Sequence, residues 1–183
     1  MSKYNESVIF DINFILNRIS LGEGQRVAEL GCGNFGYFVF PAARLVGTHG
    51  RIFAVDILKN TLEDIKKRAL QDNFQQIETI WSNLEIYKGT KIDSASLDRA
   101  LLINILHQSE KKAEILREAV RLLKPGSRLL VIEWKNTANP LGPKIEKRVS
   151  KELLKEAAPK LGLSLESEFE AGPYHYGLIF YKL

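Results

Sequence analysis

The sequence predicts an α/β fold: a doubly wound, mostly parallel seven-stranded sheet with helices on both faces and a C-terminal antiparallel β-hairpin, a three-layer α/β/α sandwich. Three observations carry this expectation. From Arg26 onward, apolar runs of strand length alternate with stretches whose apolar residues recur at helical spacing. The first run, Val27-Ala-Glu-Leu30, ends in glycines at 31, 33 and 36 and is followed by the apolar stretch Tyr37–Val46. The last two runs are joined only by Ala171-Gly-Pro173, a connection so tight that the strands must be antiparallel.

The elements follow in order. Val8, Ile9, Ile12, Ile15, Leu16 and Ile19 recur at helical spacing, so Asn5–Ser20 reads as an amphipathic helix packed on the sheet edge or the cleft, stopped by Leu21-Gly-Glu-Gly24. Residues 1–25 then form an N-terminal segment, and 26–183 the remainder of one domain. Strand one is Arg26–Leu30. Pro41 is compatible with the next helix if that helix begins near Phe38, because a proline in the first turn removes no intrahelical hydrogen bond. Strand two runs from Arg51 to Asp56, and a helix over Lys59–Gln71 places Leu62, Ile65 and Ala69 inward and Lys66, Lys67 and Arg68 in water. Strand three is Gln76–Ser82 and strand four Leu97–Leu106, with Ser109 as the expected cap of a helix reaching Leu123. Arg128–Trp134 is strand five. A loop over Lys135–Val149 precedes a helix over Ser150–Leu161 that Pro159 should cut short, and Ser164–Glu170 and Tyr174–Tyr181 form the closing hairpin.

Composition narrows the class. The 183 residues suffice for one domain with its own core, and 45% hydrophobic with 26% charged residues is ordinary for a globular protein. A net charge of +4 is spread along the chain and permits an anionic partner without arguing for one. Cys32 is the only cysteine, so no intrachain disulfide forms; it reads as a packing residue in a reducing, cytoplasmic setting. No apolar run approaches the roughly twenty residues of a membrane span, and no secretory leader is expected.

The chemistry gathers at the glycine turn. Glycines allow the sharp strand-to-helix turn and leave helix N–H groups free for a ligand. Glu29 precedes the first glycine by two positions, and Asp56 ends the next strand, where a carboxylate can accept both hydrogen bonds of a ribose diol. Asn83 and Leu84 follow strand three at the same sheet edge, placed to bond a base edge and cover its face. If the sixth strand runs parallel to the first five, the hairpin turn lies on that edge too and delivers Tyr174, His175 and Tyr176 beside the cleft. His and carboxylates do not cluster at metal-ligand spacing, so no metal is expected.

Glu29-Leu-Gly-Cys-Gly33, Asp56, Asn104-Ile-Leu-His107, Leu122-Leu-Lys-Pro-Gly-Ser-Arg-Leu-Leu-Val-Ile-Glu133 and the closing hairpin together resemble the class I S-adenosylmethionine-dependent methyltransferases, in particular their small-molecule and quinone-biosynthesis branch. The resemblance implies S-adenosyl-L-methionine as cofactor. Glu29, Gly31, Cys32, Gly33 and Gly36 would hold its methionine portion, Asp56 and Ile57 the ribose and adenine edge, Asn83 and Leu84 the adenine, and Leu102–Asn104 the wall beside the sulfonium. The loop departs from the usual glycine spacing by one residue at Asn34-Phe35, and Asn83 stands where many relatives carry Asp. A base is needed only if the nucleophile arrives protonated; His107, His175, Tyr174 and Glu133 are the candidates. The acceptor is expected to be a small molecule, with RNA or protein as alternatives and a homo-oligomer permitted. Its selection would fall to the N-terminal helix, the 135–149 loop with Lys144, Lys147 and Arg148, the hairpin or a partner subunit. Two other readings stay open: a NAD-dependent oxidoreductase, since the glycines satisfy the dinucleotide fingerprint, and a non-catalytic accessory module.

Overall fold

Side chains alternate along each central strand between two apolar layers, and this period of two decides where the helices lie. In the computed structural model, which describes residues 10–137 and 141–183, Ala28, Phe53, Ala100, Leu129 and Phe180 enter one layer, while Val27, Ile52, Leu101, Leu130 and Ile179 enter the other. The strands are β1 (Arg26–Leu30), β2 (Arg51–Asp56), β3 (Ile77–Trp81), β4 (Leu97–Ile103), β5 (Leu123–Trp134), β6 (Leu163–Gly172) and β7 (His175–Lys182). They lie in the order β3-β2-β1-β4-β5-β7-β6, parallel except for β7, which runs antiparallel to both neighbours.

The helices are α1 (Ile12–Arg18), α2 (Val39–Val46), α3 (Lys59–Gln71), α4 (Lys112–Leu122) and α5 (Lys151–Ala157). Helices α1, α2 and α3 cover one face through Ile15, Leu16, Phe40, Ala43, Leu62 and Ile65. On the other face α4 and α5 pack through Ile115, Ala119, Leu122 and Leu154. The sheet therefore has the expected three layers and the expected terminal hairpin.

The bounds of β1, β2 and α3 coincide with those read from sequence, and α2 begins at Val39 with Pro41 in its first turn. Four expectations are corrected. The described part of the N-terminal helix is Ile12–Arg18, opened by Asp11, whose carboxylate accepts from Phe14 N at 2.9 Å; Asn5–Ile9 lie outside the described residues. Strand β4 stops at Ile103 because Asn104 takes a left-handed φ of 56° and turns the chain into the 3-10 turn Leu106–Gln108. Ser109 does not cap α4: its hydroxyl donates to Glu85 Oε1 at 2.6 Å and accepts from Lys111 N at 2.9 Å. Strand β5 begins at Leu123 rather than Arg128, because Lys124-Pro-Gly bulges while Leu123 pairs with Leu97.

Arg99 joins α1 to the sheet. Its side chain donates to Ile19 O at 2.7 Å and Ser20 O at 3.2 Å, two carbonyls at the end of α1, and to Asp98 O at 2.6 Å. A hydrogen bond to a charged group contributes about 1.5–3 kcal/mol, and bonds that share one guanidinium do not add independently. Arg99→Met should therefore lower the urea-unfolding free energy by about 2 kcal/mol and speed amide exchange selectively over α1.

Candidate functional site

All the parallel strands end at one edge of the sheet, and the loops that leave them wall a cavity of about 540 Å³. It is lined by Glu29 of β1 and Gly31–Phe35 beyond it, by Asp56 at the end of β2 with Ile57 and Leu58, by Ser82–Glu85 after β3 and by Ile103 at the end of β4 with Asn104 and Ile105. Cofactor candidates from four separate segments are thereby brought together: Glu29, Gly31, Cys32, Gly33, Asp56, Ile57, Asn83, Leu84 and Asn104. Gly36 lies just beyond, where a side chain would press on Val39 and Phe40 at 3.2 and 3.1 Å.

Local bonding explains why the wall holds its shape. Leu30 pairs with Val55, and the ladder continues past β1, so Gly31 N and Cys32 N both donate to Val55 O at 2.8 and 3.0 Å. Gly33 N donates to Asp56 Oδ2 at 3.0 Å, and Leu58 N to Asp56 Oδ1 at 2.9 Å. The amides of Gly31, Cys32 and Gly33 are thus held by β2, whose end lies alongside; the N–H groups expected to stay free are those that open the helix. The N-terminus of α2 has no capping side chain, and Phe38 lies on the cavity wall. Gly31, at φ 85°, admits no side chain: a Cβ there would meet Ile105 Cδ1 at 2.2 Å.

The inserted residue of the glycine loop has a partner. Asn34 Oδ1 accepts from Thr61 Oγ1 at 2.6 Å, which anchors the longer loop to α3. Asn83 Oδ1 accepts from Glu85 N at 2.9 Å, and Glu85 is held by Ser109, so the walls after β3 and β4 are joined.

The electrostatics are one-sided. Glu29, Asp56 and Glu85 line the cavity, and no Lys or Arg does among the described residues. Burial pushes the Cys32 thiol far up, and the neighbouring Glu29 and Asp56 charges push it further, which keeps it in the thiol form. Asn104 Oδ1 is buried with no partner among the described residues.

The candidate bases separate. Glu133 is fully buried at the end of β5, and its Oε1 accepts from Leu106 N at 2.7 Å and His107 N at 3.3 Å. Its Oε2 lies 2.9 Å from His107 Nδ1. The hairpin turn lies at the cleft edge, yet His175 is enclosed, with Phe10 and Trp134 rings at centroid distances of 4.6 and 4.0 Å. Neither of its ring nitrogens has a hydrogen-bond partner among the described residues. Tyr174 is half-buried and lines no described cavity, and the Tyr176 hydroxyl donates to Val149 O at 2.7 Å. No group of His, Cys, Asp and Glu among the described residues suits a metal.

The geometry agrees with the comparisons. A family model described as methyltransferase domain matches residues 21–169. The chain belongs to the methyltransferase-domain family. An S-adenosyl-L-methionine-dependent Diels-Alderase, iccD, of Talaromyces variabilis is 26% identical over 140 residues, covering 76% of this chain and 46% of that protein. The ubiquinone/menaquinone biosynthesis C-methyltransferase UbiE of Vibrio campbellii is 31% identical over 156 residues, covering 84% and 56%. The chain thus spans about half the length of the curated relatives it matches. A SAM-dependent methyltransferase structure from Aquifex aeolicus superposes with a TM-score of 0.88 at 21% identity, covering 97% of this chain and 93% of that one. Family membership sets aside the oxidoreductase reading of the glycines.

The enclosure of His175 has a consequence for stability. Burial, helped by the nearby His107, Lys135 and Arg148, lowers its pKa from 6.5 to about 3. The unfolded chain takes up a proton as pH falls through about 6.5 and the folded chain only near 3, so stability is full above that window and declines within it. The slope is at most about 1.4 kcal/mol per pH unit. Asp98 and Glu118, whose carboxyls are held below their ordinary 3.8 and 4.5, act only at lower pH. His175→Leu should flatten the fall in thermal midpoint between pH 6.5 and 5 and leave stability at pH 8 equal or higher, since it removes two unpartnered nitrogens.

Proposed function

We propose that this chain binds S-adenosyl-L-methionine in the cavity at the strand ends and transfers its methyl group to a small-molecule acceptor. The observation that carries this reading is the charge of the cavity: three carboxylates and no base among the described residues. A sulfonium and an α-ammonium both favour such walls, whereas the diphosphate of a dinucleotide is repelled by them. Glu29 and the glycine loop would take the methionine portion. Asp56 keeps acceptor capacity for a ribose diol beyond the two amides it already binds, because a carboxylate has about four lone-pair sites. Asn83 and Leu84 are placed for the adenine, and Asn104 beside the reacting end.

The group supplies, when bound, a methyl carbon already electrophilic on a cationic sulfur. The protein's work is then to hold the acceptor in line, exclude water and remove a proton where the nucleophile carries one; positioning alone can be worth an effective molarity on the order of 10⁵ M. A small acceptor is consistent with the quinone methyltransferases among the relatives. The acceptor side is formed by the loops after β4 and β5, where His107 stands.

A second reading has one observation in its favour, the fungal relative named as a Diels-Alderase. Release of S-adenosylhomocysteine separates the two, because cyclisation leaves the cofactor intact. Isothermal titration should give binding of S-adenosyl-L-methionine and S-adenosylhomocysteine and none of NAD; the reverse pattern removes the proposal. Asp56→Ala should weaken the same binding by about 1.5–3 kcal/mol, through loss of diol acceptors and of the loop's anchor.

A further inference from the structure

Beside the acidic cavity lies a second hollow of opposite character. It is lined by His107, Gln108, Pro143, Lys144 and Lys147, and Gln108 lines both. The lysines are displayed on residues 141–148, which are held in place. Arg148, buried beneath it, donates to Pro143 O at 3.0 Å, Lys135 O at 2.8 Å, Thr137 O at 2.6 Å and Leu141 O at 3.2 Å. Gly142 is pressed on the Trp134 ring so closely that a Cβ would lie 2.6 Å from it. Glu146, exposed between the two lysines in sequence, does not line the hollow.

His107 faces this hollow in a defined form. Glu133 already accepts two backbone N–H groups through Oε1, and its Oε2 faces His107 Nδ1. A carboxylate placed among donors accepts here too, so Nδ1 carries the hydrogen and the lone pair of the neutral ring lies on Nε2. The only hydrogen bond of the ring among the described residues is the one at Nδ1, while the ring is 12% exposed and the carboxylate 0%. Glu133 is too deeply enclosed to reach an acceptor itself; it is a positioning residue acting through the ring.

We infer that His107, turned and fixed in its tautomer by Glu133, takes the proton of an acceptor whose separate anionic group rests on Lys144 and Lys147. The inference rests on the methyl-transfer reading and adds to it the acceptor's class: a small anion bearing a protonated nucleophile. His107 receives on Nε2 the proton of the acceptor's X–H bond. The acceptor keeps that bond's electron pair and directs it to the incoming methyl carbon, with the old carbon–sulfur pair left on sulfur. Glu133 then faces an imidazolium, which gives its proton to water.

The test reads the ring and not turnover. The chain has three histidines, so ¹⁵N-histidine spectra of the 183-residue chain saturated with S-adenosylhomocysteine are assignable with His107→Gln. At pH 8 the wild type should show His107 protonated on Nδ1 alone. Glu133→Gln retains an oxygen for the two amides and presents an NH₂ to the ring, so the hydrogen should move to Nε2. Folding of this variant is checked by unchanged S-adenosylhomocysteine affinity within about twofold, and Glu133→Asp should restore part of the wild-type tautomer. A wild-type ring protonated on Nε2, or averaging between tautomers, overturns the proposal.

The anion arm uses 4-hydroxyphenylacetate and its uncharged methyl ester as probes in the same sample. The acid should shift the His107 ring signals and bind at least fivefold more tightly than the ester, and Lys144→Ala with Lys147→Ala should abolish that preference. Equal binding of the two, or no shift with either, overturns the assignment of the lysines. Failure to bind S-adenosylhomocysteine would instead strike the methyl-transfer reading, and the tautomer result in the free protein would still stand or fall by itself.

Discussion

The carboxylate of Asp56 closes two turns at once, accepting from Gly33 N after β1 and from Leu58 N ahead of α3. Parallel strands oblige the chain to leave every strand at the same edge, and each departure exposes backbone groups that the sheet no longer pairs. At β1 and β2 these groups satisfy one another through Asp56 and Val55 O, so the glycine loop is pinned before any ligand arrives. The rest of the site is built outward from this fixed corner.

A similar economy operates at β4 and β5. Asn104 takes a left-handed backbone to end β4, and the following amides of Leu106 and His107 are taken up by Glu133 from the adjacent strand. One buried carboxylate thus completes a 3-10 turn and orients an imidazole. The two corners differ in sign of function. Around Asp56 the cavity is acidic and suits a cation, whereas beyond Glu133 the exposed chemistry is His107 with Lys144 and Lys147. The acidic cavity and the basic hollow meet at Gln108, which lines both.

The hairpin shows how topology and packing divide the outcome. Strand β7 returns antiparallel beside β5, so Trp134 pairs with His175 at the cleft edge, as the chain order implied. Phe10 then covers the imidazole, and a residue that sequence places among the bases becomes a neutral component of an aromatic stack. His107 and His175 are alike in sequence. Only their surroundings separate a hydrogen-bonded ring at a surface hollow from an enclosed one.

The residues by themselves determined the alternation of strands and helices, the bounds of β1, β2 and α3, and the set of side chains that would meet at the strand ends, because hydrophobic period, glycines and short connections are local signals. Lys124-Pro-Gly read as a turn for the same local reason, although the ladder with Leu97 carries β5 through it. Which polar groups satisfy each other was decided only by the folded sheet. Asp56 with Gly33, Ser109 with Glu85 and Glu133 with His107 are 23, 24 and 26 positions apart, distances over which strand order and register, and no periodicity, select the partner.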